Sequence, residues 1–360
     1  MINNMNIYLS GGGAKSLFQL RILNNIKKET TTQNITTGKI LNKYNLNHIY
    51  GVSFGSVIGM YAINDKLDKL EKFVFDENNR KIVKNFNLFG LRYYIRQIPL
   101  IGYYSNKVLD GLWLVYSLCY GYMLEHSSFD KILNNIGTID KEKSKKFYTI
   151  VYNISDNKSE FIRGDHPLIF DYIKASCSIW GIFKPMNIIR LATECECNNL
   201  CDCDKKQTDT VFCTCSNMNH KYRQYIDFGL IQTYPLKEII PDDHKENYHS
   251  MYLMTSNMKK LKHSKIYQRG NLIEILYEII SFLINQRNGD HYEASCKNKT
   301  MYISYTPPID SPISMDEQTI KSIVNDGDKI YSQMINKCQN NDNDNDNDNY
   351  HIEYMSSLIN

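Results

Sequence analysis

Apolar positions fall into short runs of strand length, each followed by residues with helical spacing, and this alternation recurs along the chain. "MNIYLS" (residues 5–10) is a compact apolar run, and "AKSLFQLRILNNIKKE" places Leu17, Leu20, Ile22, Leu23 and Ile26 close to helical spacing. A strand, a glycine turn and a helix are predicted there in that order. The next unit repeats the pattern, with "LNHIYGVS" as a short strand, "GVSFG" as a turn and "SVIGMYAI" as a helix start. "KFYTIVYNI" and "SEFIRG" flank "SDNK" as a hairpin or strand pair. "PLIFDYIKASCSI" reads as a helix with Pro167 in its first turn.

"HSMYLMT" and "TMYISYT" are later strands separated by the helical "NLIEILYEIISFLINQ". A last long helix, "MDEQTIKSIVNDGDKIYSQMINKC", precedes "QNNDNDNDNDNY", which has almost nothing apolar to bury and reads as a disordered tether before a short tail. Strands alternating with helices predict an α/β layered fold.

Composition narrows the possibilities without choosing a chemistry. The chain has 360 residues, 42% of them hydrophobic, enough to bury a sizeable core. With 42 basic against 39 acidic residues, the net charge is +3, and no basic block stands apart from helix-surface runs. No nucleic-acid partner is expected on that basis. No apolar run reaches the roughly 18 to 20 residues that cross a bilayer. The polar "MINNMN" leads directly into the first strand, so neither signal peptide nor transmembrane helix is expected, and the compartment reads as reducing cytosol.

The candidate chemistry begins with "YLSGGGAKS". Backbone N–H groups exposed where a strand becomes a helix can cradle a phosphate, wrap a dinucleotide or stabilise a developing oxyanion. A P-loop is excluded by spacing, because Ala14 separates Gly13 from Lys15. The dinucleotide fingerprint lacks its third glycine, with Ser16 in that place, and no acidic residue ends a second strand at the expected distance. "GVSFG" fits the nucleophile elbow G-x-S-x-G, with Gly51 and Gly55 flanking Ser53 at the tip of a strand-to-helix turn. A serine hydroxyl needs a base, and acyl transfer needs donors aimed at the carbonyl oxygen as it becomes negative. Neighbouring strands of one parallel sheet would bring both turns to the same carboxyl edge.

Together these residues resemble the patatin-like phospholipases, with a G-G-G-x-[KR]-G block after the first strand and G-x-S-x-G about forty residues later. "ASCSIWGIFKP" (175–185) is similar to the family's A-S-x-S-x-x-x-x-F-x-P segment, and "YIDFGLIQTYP" (225–235) to its D-G-[GA] block. The resemblance implies a three-layer α/β/α fold with a mainly parallel central sheet, spanning a hydrolase domain at 1–338 and leaving 339–360 as tether and tail. It implies a Ser53–Asp227 dyad with Asp227 as base, an oxyanion hole from Gly11, Gly12, Gly13, Ala14 and Lys15, and no catalytic cofactor. Burial would have to raise Asp227 from a reference pKa of about 3.9 for it to act as a base near neutrality. Three positions depart from the family pattern: Ser16 for a glycine, Phe228 for the middle glycine of D-G-[GA], and Tyr234 near a common Asn. The implied substrate is a phospholipid or other acyl-ester lipid.

Two rivals stay open: a catalytically degenerate lipid-binding relative, and an α/β-hydrolase triad drawing on His244, His249, His263 or His291. Residues 86–122, dense in aromatic and aliphatic side chains with Arg92 and Arg96 interspersed, read either as core helices or as a peripheral membrane surface. Within an insertion at about 193–216, Cys195, Cys197, Cys201, Cys203, Cys213 and Cys215 form three C-x-C pairs. In a reducing compartment they suggest a structural Zn²⁺ site, with His220 as a substitute ligand, or else disulfides or redox-active thiols.

Overall fold

The computed structural model describes residues 3–29, 39–40, 44–76, 126–179, 183–191, 212–213, 221–230, 249–255, 300–306, 317–340 and 350–355. The first unit is β1 (Asn3–Leu9), a 3-10 turn (Gly13–Ser16) and α1 (Leu17–Glu29). After the two-residue β2 (Lys39–Ile40), the second unit is β3 (Tyr44–Val52) and α2 (Phe54–Ile63), followed by α3 (Leu67–Phe75). Both glycine turns fall where the hydrophobic pattern places them.

Next come α4 (Ser127–Ile136), the short α5 (Lys141–Ser144), the hairpin of β4 (Phe147–Asn153) and β5 (Lys158–Arg163), and α6 (Ile169–Ser176). Pro167 lies ahead of α6 rather than in its first turn. The Leu168 N–H donates to His166 Nδ1 and the Ile169 N–H to the His166 carbonyl, a turn that delays the helix to Ile169. β6 (Met186–Ile189), β7 (Tyr222–Asp227), β8 (His249–Met254) and β9 (Thr300–Thr306) lead to α7 (Glu317–Asn340) and β10 (Tyr350–Met355). Part of the segment expected as a tail is therefore a strand: β10 pairs in parallel with β9. The Asn/Asp tract between α7 and β10, and the segment 271–286 expected as a helix, lie outside the described residues.

Among the described residues the strands form one sheet in the order β10-β9-β8-β1-β3-β4-β7-β6, with β2 paired to β3 and β5 to β4. From β10 to β4 every neighbour is parallel, whereas β4–β7 and β6–β7 are antiparallel. This is the mixed α/β architecture expected, with a mostly parallel sheet flanked by helices.

The sheet is buried on both faces. Met5, Ile7 and Leu9 of β1 share one apolar interior with α1, α2, α3, α4 and α7. Alternation turns Tyr8 to the opposite face, where it joins Tyr50, Val52, Ile150, Phe228, Tyr252, Met254 and Tyr302. Register sets Tyr148, Tyr50, Tyr8, Tyr252 and Tyr302 side by side on five adjacent strands. Their successive ring centroids lie 5.4, 5.0, 4.4 and 6.2 Å apart. A one-residue slip of any strand would remove its tyrosine from the row, so the ladder also fixes where the strands end relative to one another.

Candidate active site

The ends of β1, β3 and β7 converge on Ser53. It follows the last residue of β3 and precedes α2 with φ 54° and ψ −130°, a backbone conformation costing on the order of 1–3 kcal/mol for a residue with a side chain. Ser53 occupies the N-cap position of α2, yet its side chain makes no capping bond. The hydroxyl faces the Asp227 carboxylate instead, close enough to favour its ionised form.

A buried chain of hydroxyls holds this strained turn. The Ser53 N–H donates to Ser176 Oγ at 2.9 Å, and Ser176 spends its own proton on the Ile150 carbonyl at 2.7 Å. Ser56 must then be the donor across the 3.1 Å contact with Ser176, while Thr149 Oγ1 donates to Ser56 at 2.8 Å. Because its amide proton is engaged by Ser176, Ser53 cannot offer it to a substrate oxygen. Replacing Ser176 with alanine orphans the Ser53 amide and the Ser56 hydroxyl in a dry site. The expected cost is about 1–3 kcal/mol, read as a lower denaturant midpoint with an unchanged slope.

Asp227 reaches the same place from the other side of β4. Val52 pairs with Ile150, and the next β4 residue, Val151, pairs with Asp227, so β3 and β7 finish beside one another. The Asp227 N–H donates to the Ser178 carbonyl at 2.9 Å. Residues 176–178 thus hold the backbones of both members of the pair.

The Asp227 side chain is 2% exposed and accepts the Gly229 N–H at 2.6 Å. Burial raises its pKa from 3.8 to about 7, against the opposing hydrogen bonds from Ser53 and Gly229. A carboxylate titrating there is a competent general base near neutrality. Phe228, 1% exposed, packs into the tyrosine layer, and Asp227 still faces Ser53 beside it. Glycine is needed at 229, where a Cβ would lie 2.9 Å from Asp227 Oδ1.

The glycine loop lies against the serine. A Cβ at Gly11 would stand 2.8 Å from Ser53 Cβ and 3.5 Å from its Oγ, and Gly12 and Gly13 have φ of 141° and 57°. Among the described residues no hydrogen bond engages the amide protons of Gly12 and Gly13. Ala14 is buried and Lys15 half-buried, with the Lys15 N–H turned back to the Gly12 carbonyl. Ser16 is accommodated in place of the family glycine, fully buried with its hydroxyl directed at the Ser10 carbonyl at 3.5 Å.

Of the histidines considered for a triad, His249 is misplaced. It opens β8 at the amino end of the sheet, pairs with Met5 and packs on Tyr44, about six residues of extended chain from the edge that holds Ser53. His244, His263 and His291 lie outside the described residues, as do Tyr234, His220 and every cysteine of the cluster except Cys213. Cys213 is buried beside the Leu191–Phe212 bridge. Among the described residues no group of His, Cys, Asp and Glu could hold a metal, and no helix is long and apolar enough to cross a membrane.

Sequence reasoning missed His126. Its Nε2 lies 2.6 Å from Ser178 Oγ, which donates to the Lys174 carbonyl. Burial lowers the His126 pKa to about 4, and because Ser178 gives its own proton to the Lys174 carbonyl, the neutral ring donates its Nε2 proton to Ser178 and props the residue whose carbonyl receives the Asp227 N–H. No local pattern marks that role.

Residues 7–240 match the family model of the patatin-like phospholipases. The chain belongs to that family. All four motif blocks lie inside the matched segment, whereas β8, β9, α7 and β10 of this patatin-like protein lie beyond it. Among solved structures, the chain is similar to VipD from Legionella pneumophila with a TM-score of 0.38 and 13% identity, over 94% of this chain and 67% of VipD. No curated protein matches the chain.

Proposed function

We propose that this patatin-like protein is a serine-dependent lipid acyl hydrolase of the phospholipase A or lysophospholipase type, with Ser53 as nucleophile and Asp227 as base. The observation that carries the reading is the Ser53 hydroxyl beside a buried carboxylate whose pKa is raised to about 7. The Gly12 and Gly13 amides beside it, which no hydrogen bond engages among the described residues, are the donors this reading requires.

Asp227 takes the hydroxyl proton as Ser53 Oγ bonds to the ester carbon. The carbonyl oxygen becomes an oxyanion facing the Gly12 and Gly13 amides, which are worth most when the charge develops. Collapse breaks the bond to the leaving alcohol, whose oxygen takes the proton from Asp227. A water molecule then gives Asp227 its proton and attacks acyl-Ser53. The fatty acid departs, and Asp227 returns the proton to Ser53.

A fluorophosphonate ester is expected to form one adduct mapping to Ser53, with labelling faster above pH 7 than below it. Ester turnover without a Ser53 adduct would overturn the assignment. An inert chain that still binds vesicles would instead favour a lipid-binding relative. Residues 86–122 are proposed to meet the lipid surface, in which case turnover rises when the same ester is packed in micelles; equal rates on monomers would refute this. The cysteine-rich segment is proposed to hold a structural Zn²⁺, an idea that elemental analysis finding no metal would remove.

A further inference from the structure

Thr255, just past β8 and beyond the matched family segment, is joined to the glycine loop by a buried polar network. Its hydroxyl donates a short hydrogen bond to the Gly11 carbonyl, and its N–H donates to Ser10 Oγ at 2.9 Å. Ser10 Oγ lies 3.2 Å from Thr255 Oγ1, so its proton completes the pair. The Gln19 amide straps the assembly together, donating to the Ser10 carbonyl at 3.1 Å, to Ser10 Oγ at 3.2 Å and to the Leu253 carbonyl at 2.9 Å. All three side chains are buried.

The consequence follows from peptide geometry. β1 lies between β8, whose last residue Met254 precedes Thr255, and β3, whose last residue Val52 precedes Ser53. In a trans peptide the C=O of one residue and the N–H of the next point in opposite directions. Thr255 draws the Gly11 carbonyl toward β8, so the Gly12 N–H is turned toward β3 and the serine. Gly12 is also seated on Thr255 by shape, because a Cβ there would lie 2.6 Å from Thr255 Oγ1.

We infer that Thr255 is a positioning residue for the oxyanion hole, its hydroxyl fixing the Gly11–Gly12 peptide so that the Gly12 amide donates to the oxygen of the tetrahedral intermediate. The inference rests on the proposed acyl-transfer reading. A misaligned donor weakens the transition state and leaves ground-state binding alone.

The test compares Thr255→Val, which keeps the shape and removes the hydroxyl, with Thr255→Ser, which keeps the hydroxyl. For the valine variant kcat is expected to fall about 10- to 100-fold with KM within about twofold, since loss of a whole donor costs about 100- to 1,000-fold. A trifluoromethyl ketone lipid analogue, which forms a tetrahedral adduct on the serine, should bind more weakly by the same factor, and the pH midpoint set by Asp227 should not move. The serine variant should stay within about threefold of the parent.

Unchanged kcat in the valine variant, a loss appearing only in KM, or equal losses in both variants would overturn the inference. Should the valine variant fail to fold, Gln19→Met decides: a kcat loss with unchanged KM supports the network, and full activity overturns it. If the parent chain hydrolyses no ester, the hydrolase reading fails on its own. The loop is then judged from ¹⁵N-glycine spectra, where a Gly12 amide resonance displaced in Thr255→Val and retained in Thr255→Ser supports the inference, and an unmoved resonance sinks it.

Discussion

Asp227→Asn is expected to lower kcat by about 10³- to 10⁴-fold and, at pH 8, to make the protein more stable than its parent. The first effect follows from removing the base: asparagine keeps the shape and an oxygen for the Gly229 amide, and has nothing to accept the Ser53 proton. In the parent, kcat/KM should rise with pH through a midpoint near 7 and level off above it, because only the carboxylate is active. The variant's residual activity should lack that limb.

The stability effect has the opposite sign from the one a structural aspartate would show. The folded-state pKa of Asp227, about 7, lies above its ordinary 3.8. Between those values the folded protein holds a proton that the unfolded chain has released, so stability falls as pH rises from about 4 to about 7 and is flat above. The gap between the two values corresponds to about 4 kcal/mol, an upper bound on what asparagine restores at pH 8. Urea midpoints of the two proteins at pH 5 and pH 8 measure it: they should converge at low pH and separate at high pH, with the variant the more stable. A variant less stable at both pH values would show that the carboxylate serves the fold and is not strained for chemistry.

The parts of the site legible in the sequence are those whose signals are local. Gly11–Gly13 after an apolar run, and Gly51-x-Ser53-x-Gly55 after another, each announce a turn that only glycines permit at that spacing. Asp227 was placed through its resemblance block, since nothing in "YIDFG" alone pairs it with a serine so far back in the chain. Ser176 and Ser178 stand in the quoted segment "ASCSIWGIFKP", but what they hold, like the contacts of His126 and Thr255, depends on hydrogen bonds to partners remote in sequence, which leave no periodic trace.

Other features were legible and passed over. Ile7-Tyr8, Ile49-Tyr50, Phe147-Tyr148, Met251-Tyr252 and Met301-Tyr302 repeat one pattern on five strands, enough to suggest a common register. Tyr350, Ile352 and Tyr354 alternate as a strand should, and only the polar tract before them suggested a loose tail. Pro167 misled because the rule favouring proline at helix starts ignores the side-chain turn made by His166.

Gly55→Ala carries the second large effect, and two principles disagree about its sign. By helix propensity alone, alanine in α2 should stabilise by about 1 kcal/mol. Packing says otherwise: the new Cβ would stand 2.5 Å from the Leu9 carbonyl oxygen and 2.7 Å from that of Ser10. These are backbone atoms at the end of β1, tied to β8 by the Ser10 N–H bond to Leu253, and they cannot rotate aside. Overpacking of this kind costs about 1–3 kcal/mol when side chains can yield and more when they cannot, so packing wins. The helix must move off the strand, carrying Ser53 away from the glycine loop, and displacements near 1 Å at a reacting centre cost about 100-fold. The expected result is a loss of about 3 kcal/mol or more in stability together with at least about a 100-fold fall in kcat. Gly137→Ala is the control. Its φ of +71° strains any side chain, but a Cβ there meets nothing within 4 Å, so it should cost about 1–2 kcal/mol and leave kcat unchanged. Equal stability losses with equal activity in the two variants would mean that the close approach of α2 to β1 does not set the position of the serine.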